Sequence, residues 1–158
     1  MTIAPKLRQF LDLRHVTYDL VEHPPTASAM QSAAEAHIPP NRMAKAVLLE
    51  TTDGPLLAVL SADRRVELTD LRDDIGEKPQ LADEDEVSAI FTGCEPGAVP
   101  PMGFGVPLIV DMPLSREPEV YFEAGDHRSL VRLDHDEFTR LTRRARHASF
   151  GTPWSMLE

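Results

Sequence analysis

The sequence predicts a mixed α+β fold: a single domain whose mixed, largely antiparallel sheet is surrounded by helices. Short apolar runs of strand character mix with amphipathic segments, without the regular βαβ repeat of a doubly wound fold. Two of those runs, residues 44–50 and 56–60, are joined by Thr51-Thr52-Asp53-Gly54-Pro55, the pattern of a β-hairpin with Asp-Gly in its turn. With 158 residues, 42% of them hydrophobic, the chain is long enough to bury one real core.

Residues 5–14 place Leu7, Phe10, Leu11 and Arg14 at helical spacing, with Pro5 suited to the first turn, so a short amphipathic helix comes first. Residues 16–21 alternate as a strand does, and His23-Pro24-Pro25 stops it. Thr26 or Ser28 caps an alanine-rich helix through Ala36, which Pro39-Pro40 must end. On the first hairpin strand, Lys45 shares a face with Val47 and Leu49. If that face is buried, the ammonium is carried to the rim of the core; the alternative is a solvated strand end.

Residues 66–73 read as a short helix ending near Gly76. Residues 83–91 read as another, with Gly93 just past its end. The acidic run at 83–86 is thereby explained as a helix start, where the macrodipole favours negative charge. Residues 107–111 are a continuous apolar run suited to a buried strand, and 112–118, with two prolines, form a connection. Two further strands, 119–124 and 129–133, are linked by Gly125-Asp126-His127-Arg128. Asp134 with Glu137 three residues later opens a last helix through about His147, on which Arg140, Arg143, Arg144 and Arg146 form a solvated basic surface. The tail from Ala148, carrying the lone Trp154, is either loose or folded back; the expected organisation is one domain over 1–147 and a C-terminal tail over 148–158.

No apolar run approaches the roughly eighteen residues needed to span a bilayer, so no membrane partner is expected. The N-terminal residues lack the apolar stretch of a signal peptide and a single cysteine excludes an internal disulfide framework, so the expectation is a cytoplasmic protein. The net charge of −10 argues against broad nucleic-acid binding, DNA included, while leaving room for a small basic pocket. His15, His23 and His37 are scattered without ligand spacing, so neither a metal nor another cofactor is expected.

The densest chemical signal is residues 93–105, which hold four glycines and three prolines in thirteen positions. No helix or strand period survives that density, so the segment is a loop. Proline stiffens it and removes donors, while glycine lets the backbone approach a ligand, so the remaining amides can cradle an oxyanion or a phosphate. A rigid helix-to-strand connection is the alternative. Cys94 borders the loop and suggests a thiol hydrolase with His127, although a lone cysteine is more often a small buried apolar residue.

Three stretches resemble a known family: Glu22-His23-Pro24-Pro25, Ala44-Lys45-Ala46-Val47-Leu48-Leu49, and Gly97-Ala98-Val99-Pro100-Pro101, which fits a Gly-x-x-x-Pro loop; Val120 to Gly125 is a weaker fourth. In this order and at these separations they resemble the free-standing aminoacyl-tRNA deacylases of the YbaK/ProX type, relatives of the editing domain of bacterial prolyl-tRNA synthetases. The likeness runs from about residue 10 to 141. It implies hydrolysis of the ester joining a wrong amino acid to the 3′-terminal adenosine of tRNA-Pro or another tRNA charged with a small wrong amino acid. It also implies that the partner is the acceptor end of an aminoacyl-tRNA, with a synthetase as a further candidate partner.

The resemblance implies that Lys45 is needed for activity and that the loop from Gly97 through Ala98, Val99, Pro100 and Pro101 brings main-chain N–H groups to the scissile carbonyl. It implies no protein nucleophile and no metal: water attacks, assisted by the substrate's ribose hydroxyl. His23 either faces substrate or anchors the turn before its two prolines. His127, following Gly125 in a strand-to-strand turn, either reaches the pocket mouth or sits on the surface. Glu123 falls where relatives carry serine or histidine, and its carboxylate either meets a substrate's α-ammonium or points away. A catalytically silent module that binds tRNA or a synthetase is the alternative from another class.

Overall fold

The computed structural model describes residues 3–156. The chain runs through α1 (Pro5–Leu13), β1 (Asp19–Glu22), α2 (Ala29–Glu35), β2 (Met43–Thr51), β3 (Gly54–Ser61) and β4 (Arg64–Val66). It continues through α3 (Arg72–Ile75), β5 (Gln80–Leu81), α4 (Glu84–Ile90), β6 (Leu108–Asp111) and α5 (Met112–Ser115). The last elements are β7 (Glu119–Glu123), β8 (Ser129–Asp134), α6 (His135–Leu141), β9 (Arg146–Ala148) and β10 (Gly151–Pro153). The strands form one mixed sheet in the order β1-β8-β7-β2-β3-β6-β9, with β5 also on β2, and β10 pairs with β4 in a separate ribbon. The β2/β7, β3/β6 and β6/β9 pairs are parallel and the rest antiparallel.

The hairpin of β2 and β3 is the middle of this sheet. Thr51 faces Gly54 across a two-residue turn, and Gly54 has a φ of 111°, which glycine adopts without a Cβ penalty. From that turn the alternation of β2 divides its side chains between two cores. Ala44 and Leu48 join the larger core with Leu7, Leu11, Phe91, Phe122 and Phe138, whereas Leu49 joins a second with Leu71, Ile109 and Phe150.

Local chemistry explains the helix starts. Ser28, Asp83 and Asp134 each occupy an N-cap and accept from the amide three residues on, Gln31, Glu86 and Glu137 respectively. Gly76 closes α3 in the left-handed region.

Three expectations are corrected. The last helix stops at Leu141 rather than near His147, because residues 146–148 pair with β6 as β9; Arg140 alone of the four arginines stays on the helix, bound to Glu137. The stretch 66–73 is not one helix: Val66 ends β4, and a 3₁₀ turn at Leu68–Leu71 leads into α3. The strand read at 16–21 is shifted to Asp19–Glu22, while Val16 and Tyr18 pack on the core. The tail is folded back: Phe150 is buried, β10 pairs with β4, and the 147/148 boundary falls inside β9. Among the described residues no helix is long and apolar enough to cross a membrane.

Candidate active site

Between β7 and β5 the outer edge of β2 has no neighbouring strand. β7 pairs with Met43 and Ala44, β5 pairs with Leu49 and Glu50, and the residues between line a cavity of about 300 Å³. Met43 O accepts from Ala62 N on the β3 side and Leu48 O accepts from Ala82 N on the other. By alternation the N–H and C=O of Ala46 are turned away from β3, toward the opening. Lys45 from β2, Glu123 from β7, Val87 from α4 and Pro96, Gly97 and Val99 from the loop share the cavity wall.

The loop is built on a turn at residues 95–98. Ala98 N donates to Glu95 O, and Gly97, directly after Pro96, has a φ of 79°. Proline followed by a glycine of this φ is the signature of a type II turn. Glu95 N donates to Gly125 O at 2.7 Å, fixing the turn to the β7–β8 connection. His127 Nε2 donates to Pro96 O from beneath. In a trans peptide C=O and N–H point in opposite directions, so holding the Pro96 carbonyl on His127 turns the Gly97 N–H away from the ring. The Gly97 and Val99 amides have no hydrogen-bond partner among the described residues, whereas the Ala98 amide is committed to Glu95 O.

His127 is thus a buttress, 6% exposed and held at a φ of 57°, and not a group at the pocket mouth. Gly125 also stands behind the wall: at a φ of 119°, an added Cβ there would lie 3.0 Å from Ala4 Cβ and 3.4 Å from Cys94 Sγ. Ala98, Pro100 and Pro101 are buried and support the loop from inside.

Lys45 is half-buried, and burial lowers its pKa below the ordinary lysine value against the opposing charge of Asp63. Its Nζ lies 5.4 Å from the centroid of the Trp154 ring, so the folded-back tail reaches the site. Sequence reasoning left the place of Trp154 open; only the β4–β10 ribbon determines it.

Glu123 is 3% exposed, and neither carboxylate oxygen has a hydrogen-bond partner. His23 is buried beside it: Nδ1 donates to Pro24 O at 2.7 Å, which leaves Nε2 3.8 Å from Glu123 Oε1. A neutral ring in this orientation aims a lone pair at the carboxylate, so attraction within the pair requires a proton on one of them. Burial raises the Glu123 pKa, opposed by the Ser32 hydroxyl, which lies near the carboxylate but outside hydrogen-bond geometry, and by His23 and His127, and reinforced by Asp126. The native state is then the stronger proton binder. The stabilisation is fully present below the ordinary carboxyl value of 4.5 and is lost as pH rises through the raised native value. Glu123→Gln is expected to flatten this slope, read as Tm against pH over roughly pH 4 to 8.

Cys94 is half-buried, and burial pushes its thiol up to about 11. A thiol that basic supplies almost no thiolate at neutral pH, and His127 Nε2 is already engaged by Pro96. Cys94→Ser is expected to keep full activity in any hydrolytic assay that the wild type passes.

The chain's relatives agree with this architecture. The sequence profile of the aminoacyl-tRNA editing domain matches residues 23–141, most of the chain. A solved structure described as a putative trans-editing enzyme for prolyl tRNA synthetase is 27% identical, with a TM-score of 0.81, covering 96% of this chain and 99% of the other. The hypothetical protein APE2540 shares the fold at 24% identity, with a TM-score of 0.82 and coverages of 93% and 99%. No curated protein sequence matches the chain. The chain belongs to the aminoacyl-tRNA editing domain family. Within it, the fold is that of the YbaK-like editing proteins.

Proposed function

We propose that this protein hydrolyses, in trans, the ester between a small wrong amino acid and the 3′-terminal adenosine of tRNA-Pro or another mischarged tRNA. The observation that carries this reading is the meeting of Lys45 and the Gly97 turn on one cavity. An aminoacyl ester is already activated, so the protein needs to position it, stabilise the developing oxyanion and admit a water. The Gly97 and Val99 amides are the donors for the carbonyl oxygen, each worth about 2.7–4 kcal/mol of barrier. The Lys45 ammonium adds a compact positive charge beside the carbonyl or the terminal phosphate.

Water attacks the carbonyl carbon with its proton passing to the substrate's ribose hydroxyl system. The acyl C–O bond then breaks, and the ribose oxygen leaves protonated. The products are the free amino acid and a tRNA ready to be charged again. About 300 Å³ is near the lower end for ligand sites of roughly 300–1,000 Å³, which suits a small aminoacyl group.

Glu123 faces the substrate's α-ammonium in this reading. Its unpartnered oxygens support that role, since attraction to a cation in the cavity offsets the desolvation cost of the buried carboxylate. Glu123→Gln is expected to raise KM for an aminoacyl ester by about tenfold, with kcat changed much less. Hydrolysis of the matching α-hydroxyacyl ester, which has no ammonium, is expected to be unchanged; an equal loss on both esters would remove the role. The reading as a whole is tested with a panel of mischarged tRNAs. At least one ester should be cleaved far faster than in buffer. Binding without cleavage of any would leave a silent binding module instead.

A further inference from the structure

A second cavity, of about 390 Å³, lies on the other side of Lys45 and shares Lys45, Val47 and Leu81 with the first. Its wall brings together Trp154, Arg65 and Lys78. Trp154 is 49% exposed, although its backbone is held by the adjoining β4–β10 ribbon and by its own amide, which donates to Asp63 O at 3.0 Å. Arg65 and Lys78 are exposed and form no ion pair among the described residues. Glu67 stands on the same wall and Asp63 near Lys45, so the cations keep the majority in a chain whose net charge is −10.

We propose that this second cavity binds a nucleotide of the substrate's single-stranded 3′ end, with its base stacked on Trp154 and the adjoining phosphates held by Arg65 and Lys78. The inference rests on the editing reading for the identity of the RNA. The chemistry is read from the wall itself. A half-exposed aromatic side chain flanked by unpaired cations suits an unstacked base with a charged backbone, and bases within a duplex are not free to stack. Lys45 stands between the two cavities, so an RNA end held on Trp154 would deliver its acylated ribose to the Gly97 turn. Trp154 lies outside the residues 23–141 matched by the family profile.

Trp154 is the only tryptophan in the sequence, so its fluorescence reports the site directly. Titration with the trinucleotide CCA is expected to quench it saturably. Affinity should fall with salt, with a slope near that of two phosphate contacts, about −1.4 in log K against log salt. The double variant Arg65→Ala/Lys78→Ala, altered only at exposed positions, should weaken binding by about tenfold and flatten the salt slope. Trp154→Ala should weaken inhibition of deacylation by CCA about tenfold, and Trp154→Phe should restore most of it. Absence of quenching by CCA, or equal quenching by an abasic trinucleotide, overturns the proposal. A wild type that is quenched by CCA yet cleaves no aminoacyl ester refutes the editing reading and leaves this site standing.

Discussion

Replacing Lys45 by alanine is expected to lower kcat/KM for a mischarged tRNA by about 10²-fold, the scale of losing one preorganised electrostatic contact to an oxyanion. The ammonium reaches the cavity because β2 carries it on the face of Val47 and Leu49, at the one stretch of β2 not covered by β7 or β5. Burial lowers its pKa from 10.5, so the charged form is held at a cost in stability. The sign follows from linkage: the unfolded state binds this proton more tightly, and stability linked to Lys45 rises as pH increases through the depressed native value. The catalytic advantage runs the other way. The ratio of wild-type to Lys45→Ala activity should be constant at neutral pH and should collapse as pH rises through a midpoint below 10.5. Lys45→Met should be more stable than wild type at neutral pH and as inactive as Lys45→Ala. Equal activity of wild type and Lys45→Ala across the tRNA panel would remove Lys45 from the mechanism.

Gly97→Ala is expected to cost a comparable factor, about 10²-fold in kcat, together with a loss of stability of about 1–2 kcal/mol. Two physical effects combine. The φ of 79° places a side chain in the left-handed region, at about 1–2 kcal/mol. The added Cβ would also lie 3.2 Å from His127 Cε1 and 3.4 Å from Ala27 O, so either the ring or the turn must shift. A shift of the ring releases the Pro96 carbonyl, and the Gly97 N–H then loses its direction. His127→Ala should therefore imitate Gly97→Ala in kcat. The contrast is a change at Gly54, where a Cβ meets nothing within 4 Å and where an alanine should alter stability through its φ alone, without touching activity. Single-turnover deacylation and thermal melts of the three variants separate these outcomes.

Much of this site is legible from local chemistry. The turn falls at Thr52-Asp53, one residue earlier than the Asp-Gly step the sequence suggests, with Gly54 opening β3; it sets the register of β2 and β3, and register decides the face on which Lys45 stands. Pro96-Gly97 specifies its own turn, since proline supplies one dihedral and glycine the other. The caps at Ser28, Asp83 and Asp134 act within three residues of themselves, which is why Asp134 could be placed from sequence, Ser28 narrowed to one of two candidates, and the acidic start of α4 recognised although its cap was not. The arginine-rich stretch after Leu141 misleads for the opposite reason. Its residues suit a helix, and it becomes β9 because the edge of β6 offers a parallel partner nearly forty residues earlier in the chain. The aim of the donors within the loop is tertiary: Glu95 withdraws the Ala98 amide locally, but the Pro96 carbonyl whose orientation directs the Gly97 N–H is held by a histidine thirty-one residues further along the chain.

By itself the sequence determined the central hairpin, the starts of α1, α4 and α6, the stiff Gly/Pro loop and the family to which the chain belongs, because each is written in short-range dihedral preferences or in a motif order. Tertiary structure alone decided that β2 is left open between β7 and β5, that Glu123 and His23 share a buried pair, and that Trp154 stands over Lys45. Those three features depend on which distant segments complete the sheet, and the pairing of distant strands is settled by the packing of the whole core rather than by any one stretch of residues.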